Sequence, residues 1–295
     1  MTEMAMLYDS SVCTACKGCQ VACKVWNELP SPLVKNSQEW SGSLQNPADV
    51  NDTTRMIITF NEADNGKRWG VDWTFGRRSC MHCTDAGCVE VCPTGCLSHD
   101  EHGFVVADDD KCIGCQYCRS ACPFDIPRHT GVGLDGMGIK LNKCTMCSDR
   151  VANGRKPACV STCQPGALQF GTREEMLEKA YEKVARLKER GYVDASVYGA
   201  EEAGGTHIIH VLQRGLDRYQ LPENPQVHGM IETENLMKTL TAVGAAGVVA
   251  GLGLSFATGI GYHRDEQRYD EVSHDVIDVD TGEVVKHIDK EAGER

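Results

Sequence analysis

Cys13-Thr-Ala-Cys16-Lys-Gly-Cys19-Gln-Val-Ala-Cys23 opens the chain with four cysteines spaced C-x2-C-x2-C-x3-C. The same spacing returns at Cys112, Cys115, Cys118 and Cys122. Between these two groups lie Cys80, Cys83, Cys88 and Cys92, spaced C-x2-C-x4-C-x3-C. The last group, Cys144, Cys147, Cys159 and Cys163, is spaced C-x2-C-x11-C-x3-C. Four groups of four leave only Cys96 of the 17 cysteines unassigned. A length of 295 residues suggests about two domains. The net charge of −12, from 42 acidic and 30 basic residues, excludes a protein built around a basic nucleic-acid face. Hydrophobic residues make up 41% and aromatics only 6%, a thin supply for a core of this length. Metal–thiolate bonds are then expected to help hold the fold.

Three chemistries use cysteines in such numbers. Disulfides also want an even count, but they mark short secreted chains. Met1 to Tyr8 lacks both the basic and the apolar regions of a secretion signal. Structural zinc uses pairs of C-x2-C, one pair per side. It gives no reason for a third cysteine after two residues and a fourth after three more. That tight run does suit a cubane [4Fe–4S] cluster: three thiolates surround one face, and the fourth swings away to a second cluster. Proline follows the fourth cysteine in Cys92-Pro93 and Cys122-Pro123, as the bacterial ferredoxin pattern expects.

The swapped fourth ligand makes the groups work in pairs, and the chain shows an internal repeat. Between groups two and three, Pro93 to Lys111 reads as a strand, a turn at His102-Gly103 and a second strand at Phe104–Ala107. That is the body of one two-cluster module, inserted between the halves of another formed by groups one and four. The expected sets are Cys13, Cys16, Cys19 with Cys163; Cys144, Cys147, Cys159 with Cys23; Cys80, Cys83, Cys88 with Cys122; and Cys112, Cys115, Cys118 with Cys92. The alternative is local ligation within each group, which leaves the x3 spacer without a purpose. Every group is complete, so four [4Fe–4S] clusters are expected. Cys96 matches an alanine position of the repeat and reads as a small buried residue.

Four clusters in one chain make a wire that moves one electron per cluster. Lys17, Lys24, Lys111, Arg119, Lys143 and Arg150 lie in or beside the ligand loops, where they could offset cluster charge or be plain surface charges. There is no C-x-x-C-H haem site, no G-x-x-x-x-G-K-[ST] phosphate loop and no G-x-G-x-x-G after a strand. Gly131, Gly133, Gly136 and Gly138 read as linker. No catalytic base or nucleophile stands out. Arg55–Phe60 reads as a strand, and Trp26, Trp40, Trp69 and Trp73 are expected in the core, with packing over a cluster or at a subunit interface as the alternative. Thr172-Arg-Glu-Glu175 is a capping box opening a helix along Met176, Leu177, Ala180, Val184 and Leu187 that stops at Gly191. His207–Leu212 reads as a short strand whose His207 and His210 are packing or surface residues rather than ligands.

Leu240 to Ile260 carries no charge over 21 residues, enough at about 1.5 Å per residue to cross a ~30 Å hydrocarbon layer. Gly247, Gly251, Ser255 and Gly259 form a stripe suited to close contact with another membrane helix. The last 33 residues hold 11 acidic and 5 basic residues and read as a solvated tail with a hairpin at Asp280-Thr-Gly282. Lys238 before the span against Arg264 and Arg268 after it leans toward the tail inside and the cysteines outside.

The fold class is therefore α+β: two interleaved ferredoxin-like two-cluster modules plus a single C-terminal transmembrane helix. The expected divisions are 1–171 for the cluster domain with 79–123 inserted, 172–235 for a helix and strand extension, 236–262 for the anchor and 263–295 for the tail. The ladder resembles the four-cluster ferredoxin-like subunits of molybdopterin oxidoreductases. Asn46-Pro-Ala-Asp49, Cys80-Met-His-Cys83, Cys144-Thr-Met-Cys147-Ser-Asp-Arg150, Phe170-Gly-Thr-Arg-Glu-Glu-Met-Leu177 and Arg190-Gly-Tyr192 make it most similar to the β subunit of membrane-bound formate dehydrogenase. The resemblance implies a catalytic α subunit with a Mo/W bis-pterin cofactor, a cytochrome b-type γ subunit that reduces quinone, and export of the folded chain beside its α subunit. It implies a single-pass place in the cytoplasmic membrane with the clusters on the periplasmic face. The same wire would also suit a hydrogenase or a polysulfide, sulfoxide or nitrate reductase. Gln164, where proline usually follows the last cysteine, and Cys96 depart from the family pattern without removing a ligand.

Overall fold

The computed structural model describes residues 2–30, 42–66, 68, 70–130, 138–227, 247–257 and 266–288. The chain divides into two compact units, 1–232 and 233–295.

Sheet order in the first unit starts from its N-terminus. The apolar run of β1 (Met4–Asp9) lies parallel to β10 (Ile208–Leu212) and antiparallel to β8 (Leu168–Thr172), and β9 (Ser196–Tyr198) closes the order β8-β1-β10-β9. A strand buried on both faces needs no alternation. Ala5, Leu7, Ile209 and Val211 face helix α6 (Arg173–Glu189), whose Met176, Ala180, Val184 and Leu187 complete that core. Thr172 caps the helix by accepting the Glu175 N–H at 3.2 Å, and Gly191 at φ 91° follows its end. Met6, Tyr8, Ile208 and Leu212 turn the other way, into the core that holds the cysteines.

Three antiparallel hairpins surround those cysteines. β2 (Met56–Asp64) pairs with β3 (Val71–Ser79) along their full length, from Met56↔Ser79 to Asp64↔Val71. β4 (Leu97–His99) pairs with β5 (Val105–Ala107) through the turn expected at His102-Gly103, where Gly103 has φ 86°. A Cβ there would strike the His207 ring. β6 (Arg128–Thr130) pairs with β7 (Lys140–Asn142). Between them lie α1 (Gly18–Trp26) and the one-turn helices α2 (Gly87–Glu90), α3 (Tyr117–Ser120), α4 (Ser148–Ala152) and α5 (Ala158–Ser161). Glycines 131, 133 and 136, Trp40 and Trp69 lie outside the described residues.

Two tryptophans correct the expectation of core packing. Trp26 is 40% and Trp73 48% exposed. Trp26 donates Nε1–H to Asp149 at 3.0 Å under the Arg150 guanidinium, and Trp73 lies edge-on to Phe60 and Phe75 on the hairpin. Each keeps a polar or aromatic partner at the surface, so neither needs the interior.

In the second unit, residues 247–257 are helical. β11 (Gln267–Tyr269), β12 (Asp275–Asp278) and β13 (Val284–His287) form an antiparallel sheet, with the expected turn at Asp280-Thr-Gly282. Residues 240–246 and 258–260 of the expected membrane span lie outside the described residues. Among the described residues, no helix is long and apolar enough to cross a membrane.

Candidate functional site

The first C-x2-C step of each group shares one backbone feature. The residue before its second cysteine is left-handed: φ is 52° at Ala15, 51° at His82, 72° at Gly114 and 56° at Met146. Lys17 and Gln116 repeat the conformation two positions on, at 60° and 63°. Alternating right- and left-handed residues turn backbone N–H groups into a concavity that favours a negatively charged group such as an iron–sulfur cluster. Side chains rarely accept that backbone, and such strain persists at functional sites. Glycine stands at 114 because a Cβ there would lie 2.8 Å from Ile139.

The cysteines come together across the chain rather than within their groups. Cys13, Cys16, Cys19 and Cys163 line a cavity of about 330 Å³. Cys23 has left its own group and lines a second, also about 330 Å³, with Cys144, Cys147 and Cys159. Cys92 joins Cys112, Cys115 and Cys118 around a third of about 310 Å³, with Cys96 buried in its wall. Cys83 lies within electrostatic reach of Cys80, Cys88 and Cys122.

Neighbouring sets also touch electrostatically. Cys19 is coupled to Cys159, Cys144 to Cys80, and Cys118 to Cys88. These couplings link the sets in the order Cys13 set, Cys23 set, Cys80 set and Cys92 set. Cys16 and Cys115, in the two terminal sets, are the exposed cysteines of the chain.

The donors fit a polynuclear cluster better than a single ion. Among the described residues, no three His, Cys, Asp or Glu side chains converge on one ion. They stand around space instead. Burial is the main cause that pushes the Cys19 and Cys159 thiols up to about 11 and those of Cys118 and Cys147 to about 12. Burial, then the nearness of Cys144, Cys159 and Cys147, drives Cys23 higher still. Such thiols stay protonated at neutral pH unless a metal cation offsets the charge. Cys92 differs: burial raises it, but backbone N–H groups of Leu97, Thr94 and Cys96 bring it below the usual thiol value. Backbone donors reach other sulfurs too, Met146 N–H to Cys144 Sγ at 3.4 Å and Leu168 N–H to Cys163 Sγ at 3.3 Å.

The basic residues flagged from sequence divide sharply. Lys143 is buried and donates to the carbonyls of Val105 and, at 3.0 Å, Cys144. Lys111 and Arg119 pair with Asp108 and Asp125 at the surface. Lys17 and Lys24 bind backbone carbonyls of Leu44 and Thr53, and Arg150 stacks on Trp26. His207 and His210 are buried against Phe104 and against Tyr8 and Tyr198, as packing residues. Sequence reasoning missed Arg77 and Arg55, which line the Cys23 cavity. Its place on β3 puts Arg77 on the face of Phe75 and Ser79, and no apolar alternation in the sequence signals it.

Residues 71–173 match the family model described as the 4Fe-4S dicluster domain, taking in the second, third and fourth cysteine groups. Over 279 residues the chain is 38% identical to the nitrate-inducible formate dehydrogenase iron–sulfur subunit of Escherichia coli (strain K12), covering 92% of this chain and 90% of that one. The chain belongs to the formate dehydrogenase iron–sulfur subunits. As a member of that family it is an electron-transfer subunit rather than the catalyst. It is also 35% identical over 223 residues to formate dehydrogenase 2 subunit beta (cytochrome c-553) of Nitratidesulfovibrio vulgaris, covering 73% of this chain and 95% of that one. At 29% over 267 residues it resembles the hydrogenase-2 operon protein HybA of Escherichia coli O157:H7, covering 81% and 78%.

Proposed function

We propose that this iron–sulfur subunit holds four [4Fe–4S] clusters, one in each crossed cysteine set. It carries electrons singly from a Mo/W bis-pterin catalytic subunit that oxidises formate toward a cytochrome b-type membrane subunit. The four cysteine sets, coupled in succession, with the exposed Cys16 and Cys115 in the first and last of them, carry the reading. When bound, each cluster supplies a centre that gains and loses one electron. The chain supplies sixteen thiolates, inward-turned N–H groups and a buried environment that excludes water. A hydrogenase relative keeps the same wire available to another catalyst, but the formate dehydrogenase relatives share more identity.

The test is the native complex purified without air. About sixteen iron atoms per chain are expected, with four reducible cluster signals. Formate alone should reduce them. Zinc with little iron would sink the cluster reading, and clusters reducible by dithionite but never by formate would sink the formate partner.

We further propose that residues 236–262 anchor the chain in the cytoplasmic membrane, with the clusters on the periplasmic face. The uncharged run Leu240 to Ile260 and the bias of Lys238 against Arg264 and Arg268 support this. Alkaline carbonate should strip a chain ending at residue 235 from membranes and leave the full chain behind. Extraction of both would refute the anchor.

A further inference from the structure

Arg77 and Lys143 are the buried arginine and lysine among the described residues, and they are bound differently. The Lys143 ammonium is occupied by two backbone carbonyls. Arg77 donates from Nη1 to Ser79 Oγ, while its buried Nε–H meets no acceptor in the protein. Its strongest electrostatic partners are sulfurs, Cys159 and Cys144, then Cys19 and Cys23. Leaving a guanidinium donor unpaired in the interior is expensive, so an acceptor is missing from the picture.

The hairpin register says where that acceptor belongs. Arg77 on β3 stands opposite Ile58 on β2, and Ser79 stands opposite Met56. Directly opposed residues share a face. Ile58 lines the cavity of the Cys13 set, while Met56 and Arg77 line that of the Cys23 set. This face of the hairpin is therefore the wall between the two cavities. Arg55 borders the Cys23 cavity as well, but its Nε and Nη1 are taken by Asn142 and Asn27 at 2.6 and 2.7 Å.

We infer that Arg77 donates its Nε–H to a sulfur of the cluster held by Cys23, Cys144, Cys147 and Cys159, and that its fixed charge raises that cluster's reduction potential. The inference rests on the reading that this set binds a cluster. Reduction adds one negative charge beside the guanidinium, so the reduced form gains more than the oxidised form. The electron comes from the neighbouring cluster, which is oxidised by one. No proton moves, because arginine stays protonated throughout.

The test compares native complex with Arg77→Gln and Arg77→Lys in dithionite titrations followed by electron paramagnetic resonance. At the potential where the native cluster is half reduced, Arg77→Gln should lower the reduced-to-oxidised ratio of one cluster about tenfold, equal to about 59 mV for one electron. Arg77→Lys should hold that ratio within about threefold, as it keeps the charge. An unchanged ratio in Arg77→Gln with full iron overturns the inference, and a full tenfold fall in Arg77→Lys overturns charge as the cause. If Arg77→Gln loses iron, protein grown on ¹⁵N-arginine decides: a nitrogen coupling to the reduced cluster should be present in native protein and lost in Arg77→Lys. Its absence from iron-replete native protein refutes the bond. Native protein without four clusters' iron would instead refute the underlying cluster assignment.

Discussion

Crossed and local ligation make opposite predictions for paired cysteine substitutions. Cys23 is 8% exposed, and its cavity is lined with Cys144, Cys147 and Cys159. Removing its sulfur leaves one iron without a ligand where water has little access to replace it. Cys23→Ala should therefore lose a whole cluster, taking iron from about sixteen to about twelve per chain. Because Cys144 serves the same set, Cys23→Ala with Cys144→Ala should stay near twelve, the non-additivity of groups that act as a unit. Cys19 belongs to the other set, so Cys19→Ala with Cys23→Ala should fall to about eight. Local ligation reverses both doubles: the Cys19 pair would stay near twelve and the Cys144 pair would drop to about eight. Iron analysis of anaerobically purified protein reads the difference, with paramagnetic resonance counting the surviving signals. The reversed pattern would refute the crossed arrangement outright.

Two further outcomes test the surroundings. The thiols of Cys19 and Cys159, pushed by burial to about 11, lie above the ordinary thiol value of about 8.5, so in the iron-free fold they remain protonated well past neutrality. Iron must displace those protons, so loading of the iron-free chain should strengthen from about pH 7 to about pH 9; loading independent of pH would contradict the burial argument. Leu187 is fully buried between α6 and the sheet, and Leu187→Ala should cost about 2–5 kcal/mol, read as a lowered denaturant midpoint of the loaded chain. A midpoint equal to that of the parent would mean that α6 is not clamped to the sheet.

What could be read from sequence was what is local. Cysteine spacing fixes which sulfurs can share a loop, and the short spacer before each fourth cysteine sends Cys23 and Cys92 toward the sets where the structure places them. The capping box at Thr172 and the helix it opens were equally plain, because cap and apolar period lie within one segment. β1 was not legible: its continuous apolar run has no period, and its partners begin at Leu168 and Ile208. β3 was hidden because Asp72, Arg77 and Arg78 break the apolar alternation. Arg77 escaped notice for a related reason. It reaches the Cys23 cavity through strand register, whereas proximity in sequence ties it to Cys80. Trp26 and Trp73 show the opposite failure, where bulk alone suggested an interior that their partners made unnecessary.

The sharing of cavities by early and late cysteines sets a timetable for the nascent chain. The sets close from the inside outward as Cys118, Cys122, Cys159 and finally Cys163 leave the ribosome. At about 5–20 residues per second, β1 waits roughly 10–40 s for β10, though it is among the first segments made. The earliest loop to emerge is thus the last to be completed, and until then its sulfurs and an unpaired apolar strand stand open to oxygen and to aggregation.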